Sequence, residues 1–390
     1  MADEKRATQD LGDLPGLIAQ ADEETMPGAT AQAKVERVLA LLGGLNTVVR
    51  PGDTVLLKPN FVAPFPQAAT DLGMVAAVAE AVRAVGGRPV VAESAGFEFD
   101  TAGTFRLLGV SEWAKEAGVP LLNLDEEPYA KVPAGMKLYG ALEISRCALE
   151  ADAVLNLPKL KRHSFTRVTL GIKNLMGFLN RDSRRLLHAF GLERGLAALA
   201  RIVQPELTIL DALTVTARAV YGETEPLGIV AAGRDVVAMD YYGCHLLGED
   251  PQRIAHIREA ERHGLGTSEY QVIGGRELER SGFPGLADLG SLKEWLYRLF
   301  FRAMYVADLP YARVFPKRSL IPAIHYWLGL RPHLEKRLCN RCGVCVEVCP
   351  MDAVDVQAQK VVAARCMHLR CLRCVSACPQ QAIYLRGWRR

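Results

Sequence analysis

The sequence predicts an α/β protein, a mostly parallel sheet with flanking helices, followed by a small C-terminal module of another kind. Three observations carry this. Continuous apolar runs such as DTVLLKPNF, RPVVAES and ADAVLNLPKL look like strands buried on both faces. They alternate with helical patterns, the order that builds parallel sheets. Eight of the ten cysteines crowd into Cys339–Cys378, beyond these units. With 390 residues, 49% of them apolar and 23% charged, the chain has room for two or three domains and reads as globular rather than disordered or fibrous.

Residues 1–48 read as a polar lead ending in the helix QAKVERVLALLGGL. An α/β unit follows over 49–282, opened by the buried strand DTVLLKPNF. MVAAVAEAVRAVGG is a helix stopped by Gly86 and Gly87. RPVVAES and VPLLNLD are strands on either side of the helix VSEWAKEAG. ADAVLNLPKL is a strand that runs into a basic loop and then the helix TRVTLGIKNLMGFL. ERGLAALARIV, ELTILDAL, LGIVAAGRD and VVAMDYYGCHLLG follow as helix, strand, strand and helix. The active site of such a sheet is expected at the C-terminal ends of its strands.

Over 283–335 the composition changes. Trp295, Tyr297, Phe300, Phe301, Tyr305, Tyr311, Phe315, Tyr326 and Trp327 crowd one segment of a chain that is only 7% aromatic. A helical connector packing one domain on the other is the first reading. A membrane-surface or partner-docking face over 295–327 is a lesser alternative, and a lining for an electron path a third. No apolar run reaches the ~18–20 residues that span a bilayer. The start, MADEKRATQDLGDLPG, has no apolar signal region. A cytoplasmic location is therefore expected, where clustered thiols read as metal ligands rather than disulfides.

Cys339, Cys342, Cys345 and Cys349 form C-x2-C-x2-C-x3-C before Pro350. Cys366, Cys371, Cys374 and Cys378 repeat the run before Pro379, with the first gap two residues longer. This is the bacterial-type spacing for [4Fe–4S] clusters: a cuboidal cluster takes three thiolates from one tight loop and a fourth from elsewhere. Residues 336–390 thus read as a small α+β ferredoxin-like two-cluster domain of two pseudo-symmetric halves. In two-cluster domains the fourth cysteine crosses over. That assigns Cys339, Cys342, Cys345 and Cys378 to one [4Fe–4S] cluster and Cys349, Cys366, Cys371 and Cys374 to the other. Zinc, which also takes four cysteines, fits this doubled pattern poorly. The long gap leaves ligation by Cys366 open, and His368 inside it reads as a surface histidine. Cys147 and Cys244 lie in apolar settings and read as buried small hydrophobes.

Two polar segments break the apolar strand ends: Lys58-Pro59-Asn60, and PKLKRHSFTRVTLGIKNLMG with Lys159, Lys161, His163, Ser164, Thr166, Thr169, Lys173 and Asn174. Thr169 and Lys173, four apart, would share a helix face, and Ser164 or Thr166 would cap that helix. Cations gathered at an apolar strand end suit an anionic ligand such as a carboxylate or phosphate. A lysine desolvated beside other cations loses basicity and becomes usable as an acid or base. A solvated basic loop accounts for the same pattern equally well. Asp211 and Asp240 would each hold a lysine or a metal at the rim, or cap a helix. Neither G-x-G-x-x-G nor G-x-x-x-x-G-K-[ST] follows a strand, which disfavours nucleotide binding of the usual kind.

The blocks VLLKPNFV, ADAVLNLPKLKRHSFTRVTLGIKNLMG, ILDAL and AAGRDVVAMDYYGCHLLG resemble the domain-of-unknown-function family numbered 362, over about residues 50–275. A ferredoxin module often follows that domain in the family. The resemblance implies a shared site over Lys58, Asn60, Lys159, His163, Thr169, Lys173, Asn174, Asp211 and Asp240. One departure is YGETEPLG, where the family tends to a glycine-rich EGxGP-like turn; Gly222, Pro226 and Gly228 keep it only approximately.

The expected function is that of an iron–sulfur oxidoreductase. Its two clusters would relay low-potential electrons to an anionic small molecule. Lys58, Lys159, His163 and Lys173 would be catalytic; Asn60, Lys161, Thr169, Asn174, Asp211 and Asp240 would bind substrate. The alternatives are an electron-transfer subunit docking a partner, and a non-redox binding or transferase protein with structural or sensory clusters. Residues 331–390 hold eleven Lys and Arg against four Asp and Glu, a formal +7, which leaves −4 for the rest of a chain of net +3. Two oxidised clusters with their thiolates, at about −2 each, bring the tail down to about +3. A redox partner with an acidic surface fits that sign, and nucleic acid does not.

Overall fold

The computed structural model describes residues 16–97, 99–135, 140–163, 166–216, 224–275, 291–314, 320–321, 331–349, 352–362, 366 and 373–386. Ser164, Gly222, Phe315, Tyr326, Trp327, His368 and Cys371 lie outside them, as do the side chains of Trp295 and Tyr297.

The first strand, β1 (Leu17–Ala21), lies inside the segment expected to be a polar lead. LIAQA is too short to show a period, and only its neighbours reveal it. It pairs antiparallel with β11 and parallel with β12. Then follow α1 (Ala31–Leu41), capped by Thr30, and β2 (Thr54–Pro59). Next come α2 (Leu72–Ala84), capped by Asp71, and β3 (Arg88–Glu93). The helices α3 (Thr101–Leu107) and α4 (Val110–Ala117) lead to β4 (Leu121–Asn123). A separate hairpin, β5 (Tyr129–Pro133) and β6 (Ala141–Ser145), precedes α5 (Arg146–Glu150). The chain then passes through β7 (Ala153–Leu157), β8 (Lys159–His163), β9 (Arg167–Thr169) and α6 (Gly171–Asn174). The helices α7 (Arg181–Phe190) and α8 (Leu192–Val203) precede β10 (Leu207–Thr216) and β11 (Thr224–Gly233). The unit closes with α9 (Val236–Leu246), α10 (Ala255–Arg262) and β12 (Gln271–Ile273).

These strands form one 10-stranded sheet in the order β12-β1-β11-β10-β7-β2-β3-β4, with β8 on β10 and β9 on β8. From β10 to β4 every pairing is parallel, and β8 also joins β10 in parallel. The antiparallel pairings are β1–β11, β10–β11 and β8–β9. The expected fold class therefore holds: a mostly parallel sheet with flanking helices. Successive residues of a strand point to opposite faces. Val55 and Leu57 thus join α1 and α2 in one core, with Val35, Val38, Met74 and Val78. Leu56 joins the other core, with Leu187, Leu196, Val237, Tyr242 and Ile257 of α7 to α10.

The helix α11 (Ser291–Val314) occupies the aromatic segment. It lies on α7: Arg185 Nε donates to Asp308 Oδ2 at 2.8 Å with both side chains buried, and Tyr305 stacks on His188 at 4.5 Å between centroids. Its outer face exposes Leu296, Leu299, Phe300, Val306 and Val314. Among the described residues no helix is long and apolar enough to cross a membrane.

The C-terminal module is made of two short ribbons and two single-turn helices. β13 (Arg331–Leu334) pairs with β16 (Ile383–Arg386), and β14 (Val354–Asp355) with β15 (Lys360–Val361). The helices α12 (Val344–Glu347) and α13 (Arg373–Ser376) sit at equivalent places in the two halves.

Candidate functional site at the strand ends and the cysteine module

The stretch expected as a basic loop and helix is built differently. After Pro158 the chain continues as β8, so Lys159 and Lys161, two apart, share one face and are buried. β9 returns antiparallel and sets Thr169 opposite Lys161. Thr169 is therefore on a strand and not one helical turn from Lys173. Helical structure begins only at Gly171, too late for Ser164 or Thr166 to cap it. Thr166 Oγ1 instead donates to the Val168 carbonyl at 2.9 Å. The cap comes from the neighbouring helix α9: Gly171 and Ile172 N–H donate to Asp240 Oδ1 and Oδ2 at 2.6 and 3.2 Å. Burial pushes the Asp240 carboxyl up to about 8, against the pull of those two amides. A Cβ at Gly171 would stand 2.9 Å from Asp240 Oδ1, so the residue type is set by this approach.

Two of the expected catalytic lysines are held by carboxylates. Lys58 Nζ donates to Glu93 Oε2 at 2.7 Å and to the Pro59 carbonyl at 2.9 Å, below the ring of Phe178. Burial lowers its pKa, and Glu93 opposes that shift. Gly177 covers the pair so closely that a Cβ there would lie 2.7 Å from Lys58 Cε and 2.8 Å from Nζ. Lys159 Nζ donates to Asp211 Oδ1 at 2.9 Å and Thr214 Oγ1 at 3.0 Å. Asp211 Oδ2 also accepts the Asp71 N–H at 2.7 Å, tying β10 to the start of α2. Asp211 is taken up by Lys159 and the Asp71 N–H, and Asp240 by the N–H groups of Gly171 and Ile172. An amide ladder joins the pieces. Lys161 Nζ donates to Asn60 Oδ1 and the Ala68 carbonyl, both at 2.7 Å. Asn60 Nδ2 donates to Asn174 Oδ1 at 2.8 Å, and Asn174 Nδ2 to the Lys58 carbonyl and Asn156 Oδ1 at 2.9 Å.

Lys173 differs from the other lysines. It is more than nine-tenths buried yet makes no hydrogen bond or ion pair among the described residues, and burial brings it down to about 8. Its charge helps to depress His163, His188, His256 and Lys161, all four already lowered by burial. His163 and Lys161 fall well below their ordinary values; His188 and His256 fall to about 3. The histidines are thus neutral at pH 7. His163 Nδ1 accepts the Thr166 N–H at 3.2 Å, which leaves its proton on Nε2. His188 Nδ1 lies 2.8 Å from the Arg184 carbonyl and must be its donor. His256 Nε2 and Thr169 Oγ1 are buried with no hydrogen-bond partner among the described residues. A buried cation and buried polar atoms without partners cost free energy, which a ligand bearing negative charge would recover.

In the C-terminal module Cys339, Cys342, Cys345 and Cys378 line one hollow with Asn340, Pro379 and Ile383. Burial first, and then the charges of Cys378, Cys339 and Cys342, raise the Cys345 thiol. Cys378 joins the first run across the repeat, as the crossover spacing requires. The N–H groups of Ala353 and Ala382 donate to Cys349 Sγ and Cys378 Sγ, each at 3.2 Å, four residues beyond the cysteine in both halves. Thiolates gathered around a hollow and receiving amide donors fit an iron–sulfur cluster. When bound, that group supplies one-electron transfer. Of the second set, Cys349, Cys366 and Cys374 are within the described residues.

The sequence of residues 55–245 matches the family model "Domain of unknown function (DUF362)", and residues 331–381 match the "4Fe-4S dicluster domain". The thylakoid-associated protein sll1697 of Synechocystis sp. is 33% identical over 259 residues, 62% of this chain and 77% of the relative. The chain belongs to the DUF362 family. A ferredoxin of Methanothermococcus thermolithotrophicus is 40% identical over 48 residues, 12% of this chain and 77% of that protein. The lactate racemase apoprotein from Thermoanaerobacterium thermosaccharolyticum is similar at a TM-score of 0.40 and 15% identity, over 61% of this chain. This chain spans 59% of that structure's length. The DUF362 protein is thus an iron–sulfur protein of the 4Fe-4S electron-transfer type.

The structure brings Lys58, Asn60, Lys161 and Asn174 into one bonded network and pairs Lys159 with Asp211, and the charge of Lys173 acts on His163. Sequence reasoning passed over Glu93, the partner of Lys58, and His188 and His256. Glu93 ends a strand, and a carboxylate at the end of RPVVAES opposite Lys58 was a usable signal. His188 and His256 are single histidines on α7 and α10, 68 residues apart, and no spacing connects them.

Proposed function

We propose that this DUF362 protein is an oxidoreductase that relays electrons through two [4Fe–4S] clusters to an anionic small molecule bound beside Lys173. The observation that carries the reading is Lys173 itself, buried and unpartnered among the described residues, with its charge acting on three buried, neutral histidines. The ammonium of Lys173 binds the anion. Its pKa of about 8 also suits proton donation near neutral pH. Thr169 Oγ1 and His256 Nε2 offer polar contacts that no other described residue uses. Lys58–Glu93 and Lys159–Asp211 form the rigid frame around them. In this reading all eight clustered cysteines ligate iron, so the clusters carry electrons and the chemistry belongs to the body. A cytoplasmic, reducing setting keeps those thiols able to ligate.

The test uses the full chain reconstituted anaerobically, with about eight irons expected. After reduction with dithionite, small carboxylates and phosphate esters are added singly and cluster absorbance is followed. Reoxidation by one of them, lost in Lys173→Met at unchanged iron content, supports the reading. Reoxidation only by a second protein defeats it in favour of an electron-transfer subunit.

A further inference from the structure

We propose that the relay has a fixed polarity. The Cys339, Cys342, Cys345 and Cys378 site receives electrons from an acidic redox protein docked on Lys336, Arg337 and Arg341, and the Cys374 side of the module delivers them to the body. This rests on the two-cluster reading above and adds the direction and the docking face.

The two halves of the module repeat at an offset of 29 residues, so α12 and α13, Cys345 and Cys374, and Val346 and Val375 are counterparts. Their surroundings differ. Val375 packs against the apolar group of Ala63, Phe65, Ala68, Ala95 and Phe99, and Arg373 Nη2 donates to the Leu107 carbonyl at 3.4 Å. Cys374, between them, is buried. The loops under Val375 also close the polar site: the Ala68 carbonyl accepts Lys161 Nζ, and the Ala95 carbonyl accepts Arg184 Nη1 at 2.9 Å. Val346 instead packs within the module, beside Leu334 and Ile383. Among the described residues, no member of α12 joins the apolar clusters of the body.

The loop before α12 faces solvent. Lys336, Arg337, Leu338, Asn340, Arg341 and Cys342 are exposed, with Leu338 half exposed. From Lys336 to Val346 there is no acidic residue. Three exposed cations and one apolar side chain therefore share the loop with the exposed Cys342, between Glu335 and Glu347. Complementary charge steers encounter and sets orientation more than it sets affinity. An acidic, low-potential one-electron donor fits this face. The transfer is balanced: the donor loses one electron, the receiving cluster gains it and passes it on, and no bond is made or broken.

The probe is flavodoxin hydroquinone, an acidic one-electron donor, mixed anaerobically with the reconstituted full chain. Reduction is followed by stopped-flow absorbance, and complex formation with oxidised flavodoxin by calorimetry and carbodiimide cross-linking. The wild-type rate should fall steeply with added salt, and cross-links should map to Lys336. K336E/R337E/R341E, at equal iron content, should bind flavodoxin weakly and be reduced at least about tenfold more slowly at low salt. Its reduction by dithionite should be unchanged. The control double charge reversal R258E/R262E on α10 should behave as wild type. A salt-independent wild-type rate, cross-links mapping away from this loop, or equal slowing by R258E/R262E would overturn the proposal. Failure of dithionite to reduce two clusters per chain would instead count against the reading on which it rests.

Discussion

Replacing Lys173 by Met probes the buried cation directly. The ordinary lysine value of 10.5 falls here to about 8. That difference corresponds to about 3 kcal/mol against folding when both states are charged. The sign follows from proton counts. Between about pH 8 and 10.5 the unfolded chain holds the proton and the native chain does not, so stability rises with pH across that window. Below about pH 8 the full penalty applies. Lys173→Met removes it, so the variant should be more stable than wild type at pH 7. The gap should then shrink by about 1 kcal/mol between pH 7 and pH 9, as native Lys173 becomes neutral. Urea unfolding followed by circular dichroism, under anaerobic conditions at both pH values, measures the gap. A gap independent of pH would show that Lys173 titrates like a solvated lysine, and the anion pocket would lose its basis.

Other outcomes follow from the same geometry. Acid should destabilise the protein below about pH 6.5: His188 and His256, held near 3 in the fold, gain protons on unfolding. Each costs about 2 kcal/mol by pH 5, and the double variant His188→Phe/His256→Phe should flatten the stability profile between pH 6.5 and 5. Glu93→Gln strands the Lys58 charge, and a loss of about 3–5 kcal/mol in urea unfolding is expected. Gly177→Ala forces a methyl into the Lys58–Glu93 contact and should cost about 1–3 kcal/mol. Cys345→Ser should lower the iron content while leaving the far-ultraviolet circular dichroism of the body in place, since its ligand set lies wholly in the C-terminal module.

Much of this molecule is written locally. Buried parallel strands need continuous apolar runs, so β2, β3 and β7 could be read directly from VLLK, PVVA and AVLNL. Cluster loops need thiolates at fixed short intervals, so the cysteine module was legible from Cys339 to Cys378, and Cys378 lines one hollow with Cys339, Cys342 and Cys345. The segment around Lys159 misled because Lys and Arg ordinarily avoid buried strands. Here β8 carries them under the sheet's polar end, where Asp211, Thr214, Asn60 and the Ala68 carbonyl receive them.

Which lysine lacks a partner is a property of the three-dimensional packing. Lys58, Lys159, Lys161 and Lys173 are the same residue type in two polar segments, and spacing treats them alike. Only the approach of β3 assigns Glu93 to Lys58, and only β10 assigns Asp211 to Lys159. Lys173 is left over, with His188 and His256 brought beside it by helices distant in sequence. Local interactions determined the strands, helices and cysteine loops because their causes act over a few residues. The pairing of Lys58 with Glu93 and the contact of Arg373 with Leu107 join residues between 35 and more than 250 positions apart, and tertiary structure alone decided those.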